Sequence, residues 1–168
     1  MALIIEDGSI VANANSYVTV ANFRLYAEAR GVTDISEVDS DVEVLLIKAM
    51  DFLEGQHTKY QGLTTSSDQV LQWPRSGVMV NNLPVGVYEI PRALEYAQYA
   101  LALEVHAGND LQPTRLPSTK GVISKEKIGP IEIAYESSKT AGFTPGFAKA
   151  EALLSHLYKR NGLQLIRT

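Results

Sequence analysis

The chain has 168 residues, 45% hydrophobic and 20% charged, with 15 Lys+Arg against 19 Asp+Glu for a formal net charge of −4, which is enough length to bury one good core and short for two. The absence of cysteine excludes disulfides, thiolate metal sites and a cysteine nucleophile, and no run approaches the roughly 18 unbroken apolar residues that span a bilayer. The negative balance opposes sequence-independent gripping of phosphates, and the densest basic groups, Lys120/Lys125/Lys127 and Lys159/Arg160, are short and mixed with Glu126 or apolar neighbours, so none reads as a nucleic-acid stripe.

Residues 1–18, MALIIEDGSIVANANSYV, read as an arm. Their apolar start has no basic residue before it and Glu6 and Asp7 follow at once, which does not fit a secretory signal, so the protein is expected to stay where it is made. Thr19 can cap a helix over 20–30, with Val20, Phe23 and Ala27 on one face and Gly31 as the stop. Ser40 and Glu43 form an S-x-x-E capping box ahead of a second helix, in which Leu45, Leu46, Ala49, Phe52 and Leu53 make a broad apolar stripe before Gly55. Residues 56–89 hold no sustained period and read as a long ordered loop, pinned by the aromatics Tyr60, Trp73 and Tyr88.

Pro91 suits the first position of a third helix, which Gly108 ends. Leu94, Ala97, Leu101 and Val105 line one of its faces and Tyr96, Tyr99 and Leu103 a second, so this helix is either central or covered again by another subunit. After a proline-containing connector the period changes to 2: Val122 and Ile123 begin an extended run, and Ile131, Ile133 and Tyr135 alternate with Glu132, Ala134 and Glu136 beyond Gly129-Pro130, which predicts a β-hairpin or a pair of short strands. Thr144-Pro145 open a last helix with Phe147, Leu153, Leu154 and Leu157 on its buried side, and the tail 161–168 alternates from Leu163 through Leu165. The expected fold is mainly α, a single domain over 1–168 with about four helices in a small bundle, a β-hairpin or short strands, and extended N- and C-terminal arms.

The residues point to no chemistry. His57, His106 and His156 fall in three separate elements with no H-x-x-x-H spacing, and there is no phosphate loop, dinucleotide fingerprint or nucleophile elbow. The carboxylate pairs Glu6/Asp7, Asp39/Asp41 and Glu132/Glu136 read as solvated groups at caps, turns and strand faces. No enzyme, cofactor or metal is therefore expected. In QWPRSGV, residues 72–78, Trp73 could stack on a base while Arg75 meets phosphate; the other reading buries Trp73 as the anchor of the 56–89 loop, with Pro74 fixing the turn, and the lack of further basic and aromatic company favours it.

Glu6-Asp7-Gly8, Ala14-Asn15-Ser16-Tyr17-Val18, Ala29-Arg30-Gly31, Asp51-Phe52-Leu53, Trp73-Pro74-Arg75 with Gly77, Pro91 before an Ala-rich helix, and KEKIGPIEIAY at 125–135 resemble, in order and approximate spacing, a group of small tailed-phage proteins. These are often labelled DnaT-like single-stranded DNA-binding proteins, and they are also similar to the head-tail connector, or adaptor, proteins of the phage neck. The connector resemblance implies a homo-oligomeric ring in the virion, assembled in the host cytoplasm. It would contact the portal protein and a downstream neck or tail protein, with packaged double-stranded DNA passing through unread and no membrane involved. On that reading Leu3, Ile5, Ile131, Ile133, Tyr135, Leu163, Leu165 and Ile166 are the candidate subunit or portal contacts. The DnaT-like resemblance implies instead a replication protein that holds single strands, with Trp73 and Arg75 as the first contacts to test. The charge balance favours the connector, and a small cytoplasmic enzyme with a scattered site is a third reading.

Overall fold

A computed structural model describes residues 2–112, 125–128, 131–134 and 146–159. The chain divides into two compact units, one of Met1–Leu111 with Phe147–Thr168 and one of Gln112–Gly146. Four α-helices lie among the described residues: α1 Val20–Glu28, α2 Asp39–Glu54, α3 Arg92–His106 and α4 Ala148–Leu154. With three two-stranded antiparallel ladders, the fold is mainly α, as the periodicity predicts.

α1 starts where its cap requires, the Thr19 hydroxyl accepting from the Asn22 amide at 3.2 Å, and the chain turns away at Gly31 with φ +76°, where a Cβ would be strained. α2 does not use the expected capping box. Asp39 is already helical and Ser40 sits in the first turn, because the start is held from outside: the Val38 amide donates to Ser36 Oγ at 3.1 Å, and Ser36 donates to Asp41 at 2.9 Å. Arg24 of α1 pairs with Asp39 at 2.6 Å. Asp39 and Asp41 in that turn also face the positive end of the helix dipole.

α3 begins one residue later than expected, with Pro91 as its extended N-cap. Its first apolar face is covered by the same chain, since it packs against α1, α2 and α4 and Leu94, Ala97 and Leu101 are wholly buried; on the second face Tyr99 is buried while Tyr96 and Leu103 are half-buried. Its alanines let the neighbouring helices approach closely. α4 opens at Ala148, after Phe147, while Thr144-Pro145 lie outside the described residues; it buries Ala150 and Leu154, with Leu157 beyond its end.

The 56–89 stretch contains two small ladders that the sequence did not show. β1 (Leu63–Thr64) pairs with β2 (Arg75–Ser76), placing Leu63 opposite Ser76 and Thr64 opposite Arg75. β3 (Met79–Val80) pairs with β4 (Leu83–Pro84) across Asn81-Asn82, whose φ values of 52° and 64° suit a two-residue hairpin turn, and asparagine tolerates that left-handed region. Gly62 is obligatory beside the first ladder: its φ is +64°, and a Cβ would stand 2.0 Å from the Ser76 carbonyl oxygen. The base of the stretch is tied to the end of the chain by the Gln61 amide on the Leu157 carbonyl (2.9 Å) and the Lys159 amide on the Lys59 carbonyl (2.8 Å).

In the second unit β5 (Lys125–Ile128) and β6 (Ile131–Ala134) form the expected hairpin, with Ile131 opposite Ile128 and Ile133 opposite Glu126. Tyr135, Leu163, Leu165 and Ile166 lie outside the described residues, as do Val122 and Ile123. In the N-terminal segment Leu3 is half-buried against the core of its own chain, and Ile5 bridges Ser16 in parallel. Glu6 departs from the expected solvated pair. It is 1% exposed, and its carboxylate accepts from the backbone amides of Gly8 (2.8 Å), Ile10 (3.0 Å) and Val11 (2.8 Å), which offset the cost of burying the charge. Asp7 stays exposed and accepts from Ser9.

One polar side chain lies at the centre of the helical layer. Gln98 of α3 is fully buried; its Oε1 accepts from the Tyr17 amide at 3.0 Å, and its Nε2 donates to Ser16 Oγ at 2.8 Å and to the Leu46 carbonyl at 3.0 Å. Replacing it by leucine keeps the volume but strands the Tyr17 amide. Gln98→Leu is expected to lose about 2–4 kcal/mol of unfolding free energy in urea at unchanged m-value; a loss below about 0.5 kcal/mol would show that the junction tolerates an apolar replacement.

Candidate nucleic-acid interface

The structure places Trp73 and Arg75 inside the protein. Trp73 is fully buried, with its ring edge-on to Tyr60 at 5.7 Å and 79°, and the Trp73–Pro74 peptide is cis. Its amide donates to the Tyr17 hydroxyl at 3.2 Å; that hydroxyl donates to Glu54 Oε1 at 2.6 Å, and the Gln72 amide meets both Glu54 oxygens at 3.1 and 2.9 Å. Arg75 is 5% exposed and spends its guanidinium on the carbonyls of Gln61 (2.8 Å), Gly62 (2.9 Å) and Gln72 (3.2 Å). The pair thus anchors the 56–89 stretch to α2 and to the N-terminal segment, and neither residue presents a free face to a nucleic acid.

A second group of aromatic and basic residues comes together between α1 and α3, where Tyr96 is half-buried and Tyr26 and Tyr99 are 6% and 5% exposed. Tyr26 of α1 contacts Tyr99 at 4.8 Å and Tyr96 edge-on at 5.5 Å, both from α3. Arg30, one turn after Tyr26, lies over that ring with its Cζ 3.3 Å from the centroid and donates to the Tyr26 carbonyl at 3.0 Å. Arg92, one turn before Tyr96, sits 4.6 Å from the Tyr96 ring and donates to its hydroxyl. Lys149 of α4 brings a third cation to 5.7 Å from the Tyr26 ring. Arg30, Arg92 and Lys149 are exposed, and the ion pairs among the described residues are Arg24–Asp39 and His106–Asp34, so none of these three cations is in an ion pair among the described residues.

These tyrosines and both arginines line an open cleft of about 540 Å³, whose wall also carries Leu25, Glu89 and Glu95. It adjoins a second cleft of about 390 Å³ that shares Glu89, Glu95 and Tyr99 and runs on to Asp7 and Tyr88; Tyr88 is 64% exposed. Burial pushes the Tyr99 hydroxyl up to about 12, with Glu95 adding to the shift. Burial also holds the Glu95 carboxyl above its ordinary range, against the pull of Arg92. The half-buried Tyr96 ring, with Arg30 and Arg92 beside it, suits a flat, anionic ligand: a ring can stack on a base while guanidinium groups meet a phosphate. The four-residue spacings Tyr26/Arg30, running just past the end of α1, and Arg92/Tyr96 on α3 were visible in the sequence. Counting charge along the chain missed them, because the cluster forms only when two helices lie side by side.

Over residues 1–168 the chain matches the family described as "Putative DnaT-like ssDNA binding protein" and belongs to it. No curated protein and no solved structure matches it. Membership overturns the expectation of a virion structural protein: the terms head-tail connector, adaptor, neck, portal-associated and homo-oligomeric ring do not carry over to this chain. The second apolar face of α3, which had suggested a neighbouring subunit, packs partly against its own chain, with Tyr99 buried and Tyr96 and Leu103 half-buried.

Burial holds the Glu54 carboxyl above the ordinary carboxylate range, the hydrogen bonds from Tyr17 and Gln72 opposing it. The folded state therefore keeps this proton to higher pH than the unfolded chain does, so the stability from the site is fullest in acid and declines as pH rises through the folded value. The unfolding free energy of the wild type minus that of Glu54→Gln is expected to fall between about pH 4 and about pH 7; a difference that rises over this window would contradict the assignment.

Proposed function

We propose that this protein binds single-stranded DNA through the tyrosine-arginine cleft between α1 and α3, in the manner of a DnaT-like replication factor. The observation that carries the reading is the cleft itself, where Arg30 and Arg92 stand over Tyr26 and Tyr96 with no ion pair among the described residues, and Lys149 of α4 approaches the Tyr26 ring. Membership of a family described as single-stranded DNA-binding supports the same conclusion. A duplex hides its base faces, whereas an unpaired strand offers them for stacking. With a net charge of −4 the remainder of the surface repels phosphate, so affinity rests on local contacts and the salt dependence is shallow, a slope of about −1.4 to −2 for two or three phosphates.

The test is anisotropy of a labelled thymidine oligonucleotide titrated with protein over a range of salt. Saturable binding with that shallow slope is expected, and Arg30→Ala/Arg92→Ala is expected to weaken it about tenfold or more, whereas Trp73→Phe leaves the salt slope unchanged. Binding that ignores salt, or that survives the double substitution intact, would overturn the assignment. Both arginines are exposed, and the thermal midpoint of the double variant checks that its fold is kept.

A further inference from the structure

The cleft between α1 and α3 is electrically lopsided. Arg30 and Arg92 supply cations to its wall and Glu89 and Glu95 supply carboxylates. Three of the four carboxylates at or next to the joined clefts are already engaged: Glu6 by three backbone amides, Asp7 by Ser9 and Glu89 by the Gly86 amide at 3.0 Å.

Glu95 differs from these. It lines both clefts, sits on α3 one turn from Arg92 and one turn from Tyr99, and is half-buried. No hydrogen bond reaches its side chain among the described residues; the influences on it are burial and the charge of Arg92. A partly desolvated acceptor without a donor is costly to keep, and it is satisfied by a ligand that brings an N–H.

A nucleotide brings such a group when its base carries an exocyclic amine. Its phosphate suits the arginines and its ring the tyrosines, which leaves the base edge to face Glu95. Cytosine presents an amino group at the position where thymine presents a carbonyl oxygen, and a carboxylate accepts from the first and repels the second. We propose that Glu95 is a specificity-determining residue that reads the exocyclic amino group of an unpaired base, so that the protein prefers cytosine-containing over thymine-only single strands. This rests on the single-strand reading above and adds to it a base preference that stacking alone does not supply.

The experiment compares oligo(dC) with oligo(dT) of equal length, in mildly alkaline buffer so that the cytosine strand stays unfolded, on the wild type and on Glu95→Gln. The carboxamide keeps the size of the side chain but can turn its amino group toward a thymine oxygen. Expected are about tenfold tighter binding of oligo(dC) by the wild type and a ratio within about twofold of unity for Glu95→Gln. Equal wild-type affinity for the two strands would overturn the base preference and leave single-strand binding standing. A preference that persists undiminished in Glu95→Gln would remove Glu95 from the role, and failure to bind either strand would overturn both readings.

Discussion

The carboxamide of Gln98 is the junction on which the main unit depends. It joins three segments that the chain itself keeps far apart: Ser16 and Tyr17 of the N-terminal segment, Leu46 of α2, and its own helix α3. A fully buried amide is tolerated only when its donors and acceptors are met, so this one fixes how the three segments lie against one another more sharply than the alanine-rich packing around it could. The apolar contacts supply most of the stabilisation, and the amide selects the register in which they are made.

From that junction the order passes outward. The amide of Tyr17 is held by Gln98 and its hydroxyl by Glu54, and the same hydroxyl receives the Trp73 amide, so the middle of the 56–89 stretch is fastened through one tyrosine to the centre of the helices. Arg75 then gathers the carbonyls of Gln61, Gly62 and Gln72 around itself. Another face of α3 serves the surface: within two turns of Gln98 it presents Arg92, Glu95 and Tyr96 to the cleft. A rigid helix anchored at its middle is a firm platform for recognition, since groups carried on regular elements hold their positions better than groups on loops.

A period of about 3.6 made the four helices legible in the sequence, since each buries a face long enough to leave a pattern, and a period of 2 marked the hairpin. The β1–β2 and β3–β4 ladders left none, because strands of two residues cannot alternate visibly, and only the tolerance of Asn81 and Asn82 for the left-handed region marks the second turn. The start of α2 was misplaced because Ser40 and Glu43 fit a local capping rule while Ser36 and Arg24 hold the true start from a distance. Glu6 shows the same limit. A carboxylate beside Asp7 at the head of a chain looks solvated until a turn aims three backbone amides at it. The cleft escaped for a related reason: each of its residue pairs has helical spacing, but its aromatic and cationic character arises only where α1 meets α3, with Lys149 arriving from near the other end of the chain.

The burial of Trp73 also divides the optical properties of the protein in two. The only indole in the chain rests on Tyr60 and takes no part in the cleft wall, whereas Tyr26, Tyr96 and Tyr99 do. Its emission is that of a ring shielded from water and serves as a gauge of whether the 56–89 stretch remains docked. Because the indole lies outside the cleft wall, its emission is expected to report docking of the stretch independently of whether the cleft is filled.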